Sequence, residues 1–360
     1  MFSQDAFYMA KALQLAKLGR FSTDPNPRVG CVLVKDGVIV GEGFHVKAGQ
    51  AHAEIVALNN TVNSQGATAY VTLEPCSHQG KTPPCCDALI SAGVSRVVAA
   101  MQDPNPLVSG RGLEKLNAAG IAVVCGVLEA EARLLNRGFI KRMTESRPFV
   151  RSKLAMSLDG RTAMASGESK WITSAAARAD VHQMRAESSA ILTGINTVLA
   201  DDPALTARVD VAVEQPIRVV LDSNLKMPLT AQMAKLAGRS LILTCSTDDV
   251  KRLALQAEGF EVHILAAKNG QLDLKAVLNF LAQQQINEVL VEAGSLLNGA
   301  LLAEELVDEW IVYMSPSVLG DQGRGLFAMP GLQMMADKKN LCFQDVRAVG
   351  PDLKLTLTRS

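Results

Sequence analysis

Three short elements constrain this chain more than any other feature: His52-Ala53-Glu54, Pro75-Cys76 and Thr82-Pro83-Pro84-Cys85, in that order. One imidazole and two thiolates suit a tetrahedral zinc ion, and three protein ligands leave a fourth position for solvent, as in a catalytic site. The set functions only if points far apart in sequence converge, so the intervening segments must fold around it. His52 opens a predicted helix, Pro75-Cys76 follows a strand ending at Leu73, and Cys85 opens a further helix. Both cysteines are expected at or near a helix N-terminus, where the dipole favours the thiolate. Glu54, two residues past His52, is placed to face the open side of a metal without binding it and to relay a proton to a leaving amine. Zinc lowers the pKa of bound water from about 15.7 to about 7, on the order of 12 kcal/mol at about 1.36 kcal/mol per unit. A positioned acid/base adds roughly a hundred- to ten-thousand-fold. The signature of zinc base deaminases is H-x-E followed by P-C-x-x-C. Here eight residues, Ser77 to Pro84, separate Cys76 from Cys85, so the second part departs from it. Spacing alone does not choose between Cys85 and Cys86, and the competing reading is a buried histidine beside unrelated core cysteines. His78, in the same loop, reads as a loop or substrate-side residue.

The chain has 360 residues, enough for about two domains at roughly 150 residues each. The polar stretch Thr144–Pro148 marks the boundary, giving domains 1–145 and 146–360. In the first, Ser3 caps a helix over about Gln4–Leu18. Strands at Val29–Val34 and Val38–His45 flank Lys35-Asp36-Gly37, a hairpin signal. Strands at Ala69–Leu73, Val94–Ala100 and Ala122–Cys125 alternate with helices near His52, Pro84–Ala92, Gly112–Ala119 and Glu129–Met143. The expectation is a mixed sheet sandwiched by helices. The second half alternates strands and helices again, from Phe149–Leu154 to Leu353–Leu357, and reads as a second α/β domain.

Lys plus Arg and Asp plus Glu balance at 36 each and aromatics are 4%. That argues against nucleic acid as a partner, because neither a whole-chain positive field nor stacking platforms are available. No apolar run is long enough for a bilayer, and the opening stretch carries no small-residue cleavage site. A cytoplasmic protein is expected. The seven cysteines therefore point to metal or catalysis before disulfides. A homo-oligomer, dimer or tetramer, is the general expectation for such a chain.

The C-terminal half carries a weaker signal. The run Val289–Glu292 leads into Gly294 and then a helix, a junction that presents free backbone N–H groups to a phosphate. It lacks G-x-G-x-x-G, which disfavours a Rossmann reading, and a tight turn is an equal reading. Small polar residues, Gly and Arg also follow other predicted strands, where ligands of such sheets gather. Lys153 and Glu292 are charged residues on strands expected to be central, where charge is rarely buried idly. His182 and His263 read as ordinary helix and strand residues.

The stretches PNPRVGCVLVKDG, HAEIVAL, TLEPCSHQGKTPPC and MQDPNPLVSGRG, with SLDGRTA, SKWIT, GINTVLADDPALTAR and VEAGSLLNGALL, resemble the bifunctional riboflavin-biosynthesis deaminase/reductase family over nearly the whole chain. The resemblance implies a cytidine-deaminase-like α/β/α sandwich followed by a dihydrofolate-reductase-like α/β domain that uses NADPH. It assigns zinc to His52, Cys76 and Cys85, the proton relay to Glu54, and pyrimidine phosphate contacts to Asn26, His45, Lys81, Asp103 and Asn105. In the reductase half it assigns the cofactor to Ala155, Trp171, Thr197, Asp201, Ser223 and the run Gly294, Ser295, Leu296, Leu297, Asn298, Gly299, Ala300. Substrate falls to Ser169, Arg185, Leu205, Arg208 and Glu292, and Lys153 with Glu292 is expected to position the ribose as its ring opens. The implied reaction is deamination of 2,5-diamino-6-ribosylamino-4(3H)-pyrimidinone 5′-phosphate, then reduction of the ribosyl group to ribityl. One rival is another zinc deaminase, acting on tRNA adenosine or cytidine with an accessory domain. The other is a zinc-stabilised binding protein, which would have no use for an unliganded carboxylate such as Glu54 beside its metal.

Overall fold

A computed structural model of the chain describes residues 4–77, 84–106 and 108–360. Ser3, His78 and Lys81 lie outside the described residues. The chain divides into two compact units, Met1–Arg147 and Pro148–Ser360.

The first unit is built on strands β1 (Gly30–Lys35), β2 (Val38–Phe44), β3 (Thr68–Val71), β4 (Arg96–Ala99) and β5 (Ala122–Cys125), with helices α1 (Gln4–Ala16), α2 (Ala53–Asn59), α3 (Cys85–Ser91), α4 (Arg111–Ala118), α5 (Glu129–Leu135) and α6 (Arg137–Glu145). The sheet order is β2-β1-β3-β4-β5. β1 runs antiparallel to β2 and β3, while β3, β4 and β5 are mutually parallel. The two-residue alternation of β1 feeds two cores. Cys31 and Leu33 pack with Ala53 and Ala57 of α2, Leu89 of α3 and Leu116 of α4. Val32 and Val34 pack with Tyr8, Met9 and Leu13 of α1 and Ala132 of α5. A strand apolar at every position is thus explained by cover on both faces.

The hairpin turn is Asp36-Gly37, both at positive φ (51° and 76°), as a two-residue connection requires. On β2, Gly41 and Gly43 let α2 lie directly on the strand. A Cβ at either would come within 2.5 Å of the Ala57 or Ala53 carbonyl oxygen. This close seating fixes the start of α2, where His52 stands. The helix expected over Glu129–Met143 is instead two. Asn136 interrupts it because its side chain accepts the Arg28 N–H at 2.8 Å and donates to the Arg28 carbonyl at 2.9 Å, a demand the helix path does not meet.

The second unit comprises β6 (Phe149–Met156), β7 (Arg161–Ala163), α7 (Ala175–Glu187), β8 (Ala190–Gly194), α8 (Ile195–Asp201), β9 (Ile217–Leu221), β10 (Ser240–Thr244), α9 (Asp249–Ala257), β11 (Glu261–Ile264), β12 (Ala267–Lys268), β13 (Gln271–Leu272), α10 (Leu274–Gln283), β14 (Glu288–Val291), α11 (Ser295–Ala303), β15 (Glu309–Met314), β16 (Arg324–Gly325), β17 (Leu341–Val349) and β18 (Asp352–Arg359). The main sheet has nine strands in the order β11-β10-β9-β8-β14-β6-β15-β18-β17. It is parallel from β11 through β15 and closes with the antiparallel β18 and β17. Helices α10 and α11 cover one face, with Val150, Leu192, Val219, Leu241 and Val289 beneath them. The other face is covered by α7, over Leu290, Ile311 and Tyr313, and by α8 and α9 over Ile191, Val220 and Ile242.

α7 is tied by partly buried polar groups to buried residues of the sheet. Its Asp180 carboxylate accepts from Lys354 Nζ at 2.7 Å and from the Tyr313 hydroxyl, and Asp352 accepts the N–H of the capping Ser174 at 2.8 Å. α8 and the short pair β7–β16 are absent from the sequence reading: Ile195-Asn196-Thr197-Val198 carries β-branched residues that oppose a helix, and strands of three and two residues give no period. α11 starts at Ser295 rather than Asn298, because Gly294, in extended conformation, stands at its N-cap.

Candidate functional site

In the first unit the metal-binding geometry is preformed. His52 is the N-cap of α2, Cys85 is the first residue of α3, and Cys76 lies in the loop after β3. Their ligand atoms all fall within 4.8 Å of one another. His52 Nδ1 stands 3.2 Å from Cys85 Sγ and 3.7 Å from Cys76 Sγ, so Nδ1 is the ring nitrogen turned to the cluster. Both cysteines stand at or near a helix N-terminus, as expected: Cys85 opens α3, and the Cys76 sulfur, in the preceding loop, accepts the Cys85 backbone N–H at 3.3 Å. The Cys85 thiol, followed by His52 and that N–H, pulls Cys76 down to about 4 against the opposing effect of burial. One imidazole and two converging sulfurs, one readily a thiolate, fit zinc.

Cys86 points away. Its Sγ donates to the Pro75 carbonyl at 3.2 Å and approaches the Gly112 carbonyl at 3.5 Å, which resolves the choice the spacing left open. Cys85→Ser should strip the metal and end deamination. Cys86→Ser should keep a full equivalent of zinc by elemental analysis, since only a buried sulfur bond is changed. Equal zinc loss in the two purified variants would contradict this assignment.

Glu54 is almost fully buried, 3% exposed, and burial pushes its carboxyl up to about 7. A carboxyl in that range both takes and gives a proton near neutrality. His45 is also buried, and its ring lies 5.5 Å from that of His52, nearly perpendicular to it. Its Nδ1–H donates to the Ala51 carbonyl at 3.1 Å, and its Nε2 accepts from Asn26 Nδ2 at 3.0 Å. Two residues nineteen apart in sequence thus form one fixed pair. Burial lowers the His45 pKa, in keeping with a neutral ring.

Asp103 and Asn105 follow β4 in a loop shaped by a residue the sequence reading missed. Glu74, 4% exposed, accepts backbone N–H groups from Asp103 at 3.0 Å, Gly110 at 2.9 Å and Gly112 at 2.7 Å. It stands two residues before the ligand Cys76, so one carboxylate joins the metal loop to the 103–112 segment.

In the second unit the expected residues gather at the carboxyl ends of the parallel strands: Ala155 on β6, Thr197 and Asp201 on α8 directly after β8, Ser223 after β9, and Glu292 with Gly294–Ala300 after β14. Asn298 is buried. Its Nδ2 donates to the Ala293 and Gly294 carbonyls at 2.7 and 3.1 Å, and its Oδ1 accepts from Ser152 at 2.6 Å. It holds the Gly294 turn in shape, while Gly294 stays open and Leu296 exposed. Gly299 packs against the Ala328 backbone, 2.2 Å from where a Cβ would stand. Ser223 Oγ donates to Gln271 and accepts the Leu272 N–H. Asp201 pairs with Lys170 at 3.4 Å. The exposed Trp171 ring lies under the Arg178 guanidinium, and Ser169 is in the same loop.

Lys153, Arg185 and Glu292 come together. The β14–β6 register pairs Val291 with Ser152, so Glu292 and Lys153 follow side by side. The Arg185 fork binds the Glu292 carboxylate, Nε to Oε1 at 2.6 Å and Nη2 to Oε2 at 2.9 Å. Burial alone would raise Glu292, but Arg185 and then Lys153 hold its carboxylate below the usual range. Burial lowers Lys153, with Glu292 opposing. Arg185, expected as a phosphate ligand because its guanidinium forks, already spends that fork on Glu292. Leu205 (buried, φ 47°) and the exposed Arg208 flank Thr206, whose carbonyl accepts from Arg185 Nη1 at 3.0 Å. His182, read as an ordinary helix residue, does lie on α7, and it also meets a partner: its Nε2 lies 3.0 Å from Arg208 Nη2, and its spacing from Arg185 on α7 puts both on one helix face.

Known proteins agree with both halves. Residues 2–101 match the cytidine and deoxycytidylate deaminase zinc-binding region, and residues 148–355 match the RibD C-terminal domain. The riboflavin biosynthesis protein RibD of Escherichia coli (strain K12) is 52% identical over 367 residues, covering 98% of this chain and 99% of that one. The chain belongs to the RibD family. The RibD protein of Haemophilus influenzae is 48% identical, covering 99% of this chain and 98% of its own. The structure of Acinetobacter baumannii RibD, form 2, superposes with a TM-score of 0.93 at 46% identity, covering 99% of each chain. A Thermotoga maritima structure described as a diaminohydroxyphosphoribosylaminopyrimidine deaminase/5-amino-6-(5-phosphoribosylamino)uracil reductase superposes with a TM-score of 0.87 at 35% identity, again covering 99% of each. The fold is accordingly a cytidine-deaminase-like zinc domain followed by a dihydrofolate-reductase-like domain. Among the described residues, no helix is long and apolar enough to cross a membrane.

Proposed function

We propose that this chain is the bifunctional deaminase/reductase of riboflavin biosynthesis, with deamination in residues 1–145 and reduction in 146–360. The observation that carries the reading is the convergence of His52 Nδ1, Cys76 Sγ and Cys85 Sγ beside the buried Glu54 carboxyl, in a family whose members join both activities in one chain. The substrate is 2,5-diamino-6-ribosylamino-4(3H)-pyrimidinone 5′-phosphate, whose ring amine is released as ammonia before the ribosyl group is reduced to ribityl.

His52, Cys76 and Cys85 would hold zinc, and the C-terminal carboxyl edge would hold NADPH. When bound, zinc supplies the Lewis acidity that makes water nucleophilic near neutral pH, and NADPH supplies the hydride. The chain's own residues do the rest. The Glu54 carboxylate takes a proton from the attacking water and, as the acid, returns it to the departing amine. Asn26 and His45 present a fixed polar pair to the pyrimidine, and Asp103 and Asn105 reach it from the loop that Glu74 organises, with Lys81 as a further phosphate contact. In the second unit, Lys153 Nζ donates a proton to the ribose ring oxygen as the ring opens, and Glu292, braced by Arg185, orients the sugar. Ser169, Leu205 and Arg208 complete the substrate side, with the phosphate on Arg208. Ala155, Trp171, Thr197, Asp201, Ser223 and Gly294–Ala300 line the cofactor. The protein works as a cytoplasmic homo-oligomer, dimer or tetramer.

The test is sequential. Given the pyrimidine alone, the protein should release one equivalent of ammonia and stop; NADPH added then should be oxidised by one equivalent. Ammonia release from cytidine or tRNA adenosine, with no turnover of this pyrimidine, would replace the reading with its rival.

A further inference from the structure

Resting on the reading that Arg208 binds the substrate's phosphate, we propose that His182 is a positioning residue that holds the Arg208 guanidinium in place for that phosphate. The backbone around Arg208 is already fixed at successive residues. Leu205 is buried, the Thr206 carbonyl accepts from Arg185 Nη1 at 3.0 Å, and Gln215 accepts the Ala207 N–H at 2.9 Å while donating to the Ala207 carbonyl at 3.0 Å. What the backbone leaves loose is the long, exposed Arg208 side chain, whose rotamer freedom must be lost on binding an anion. His182 sits where it removes that freedom beforehand. Its Nε2 lies 3.0 Å from Arg208 Nη2 and 3.3 Å from Arg208 Nε, and its Nδ1 faces the donating Arg208 backbone N–H at 3.3 Å.

A neutral imidazole accepts at one nitrogen only. With Nε2 as acceptor the ring takes the Arg208 guanidinium, the shorter contact at 3.0 Å, and with Nδ1 as acceptor it takes the Arg208 backbone N–H, so either neutral tautomer holds Arg208; the Thr206 backbone also bears on the ring. The charged groups around it are Arg185 on its own helix, Arg208 on the 205–208 segment and Glu292 after β14. Burial and the two arginines favour the neutral form, while Glu292 opposes. Protonation would turn the acceptor into a second cation facing Arg208, so the clamp works only while the ring is neutral.

The experiment measures KM and kcat for NADPH oxidation by the full chain with the deaminated pyrimidine, phosphorylated and dephosphorylated, across the histidine titration range. Wild type is compared with His182→Phe and His182→Gln. His182→Phe should raise KM for the phosphorylated substrate by roughly three- to ten-fold, the value of one charge-assisted hydrogen bond at a partly exposed site, with kcat within about two-fold. Its KM relative to wild type should shrink toward one as pH falls and wild type loses its own acceptor. His182→Gln, whose amide oxygen accepts without titrating, should recover part of the loss at neutral pH and outperform wild type in acid. An unchanged KM in His182→Phe overturns the proposal. So does a KM ratio that grows on acidification, which would make the ring a cationic phosphate ligand. Should His182→Phe fail to fold, the acid profile of His182→Gln decides by itself. If wild type binds both substrates equally, it is the phosphate reading of Arg208 that falls, taking the clamp with it.

Discussion

Glu54→Gln should slow ammonia release by roughly a hundred- to ten-thousand-fold, the value of a positioned acid/base, while reduction of supplied deaminated intermediate proceeds at the wild-type rate. The substitution is nearly isosteric, so the core around Ala53 and Ala57 of α2 is undisturbed. It leaves His52, Cys76 and Cys85 unaltered, so zinc content should stay at one equivalent. What is lost is a group that both takes and gives a proton, and an amide does neither. Burial raises Glu54 to about 7 even though His52 beside it favours the charged form, so in the folded chain this carboxyl accepts its proton unusually readily. Ammonia release, zinc content and NADPH oxidation measured on one preparation separate the possibilities. Loss of both activities in a folded, zinc-loaded variant would refute separate sites, and retained ammonia release would remove Glu54 from the proton path.

The metal site was legible because its ligands are rare residues next to Pro and at helix starts, signals that survive without coordinates. Its last detail was not. Cys85 and Cys86 are neighbours of one type, and the difference lies in side-chain direction: Cys85 points to His52, and Cys86 to the Pro75 and Gly112 carbonyls. The two-faced core of the first unit was readable from the apolar run of β1, and so was its hairpin, from Asp36-Gly37. The break at Asn136 was not, because the cause is the Arg28 backbone, 108 residues away. Glu74 and His182 escaped for the same reason. Each acts on main-chain or side-chain groups brought in by topology, and no local pattern marks a carboxylate that will meet three N–H groups of a distant loop. The reductase half was legible mainly through its resemblance to a family. Strands followed by Gly, Ser and Arg fix a carboxyl edge but do not say which polar groups are spent on each other. The Arg185–Glu292 fork shows the difficulty: two residues each expected to face substrate are first each other's partner.

The mirror of the Glu54 result lies in the second unit. Lys153→Ala should lower NADPH oxidation by roughly a hundred-fold or more, as loss of a positioned acid does, with ammonia release unchanged within about two-fold. The case depends on Lys153 being removable without collapse. Breaking a buried ion pair ordinarily leaves a charge uncompensated at about 3–5 kcal/mol. Here Glu292 keeps the bidentate Arg185 fork at 2.6 and 2.9 Å, so the carboxylate stays paired when the ammonium goes. Arg185→Ala lacks that protection and should unfold more easily, since it strips Glu292 of both guanidinium bonds and frees the Thr206 carbonyl. The ammonium itself is poised for proton transfer, because burial lowers its pKa while Glu292 limits the fall. An acid easier to deprotonate than a solvent-exposed lysine suits a sugar ring that must open and then accept hydride. Lys153→Met, which fills the space without a proton, should match Lys153→Ala in rate and exceed it in melting temperature. If the methionine chain reduces its substrate normally, Lys153 is a packing residue and the proton comes from elsewhere.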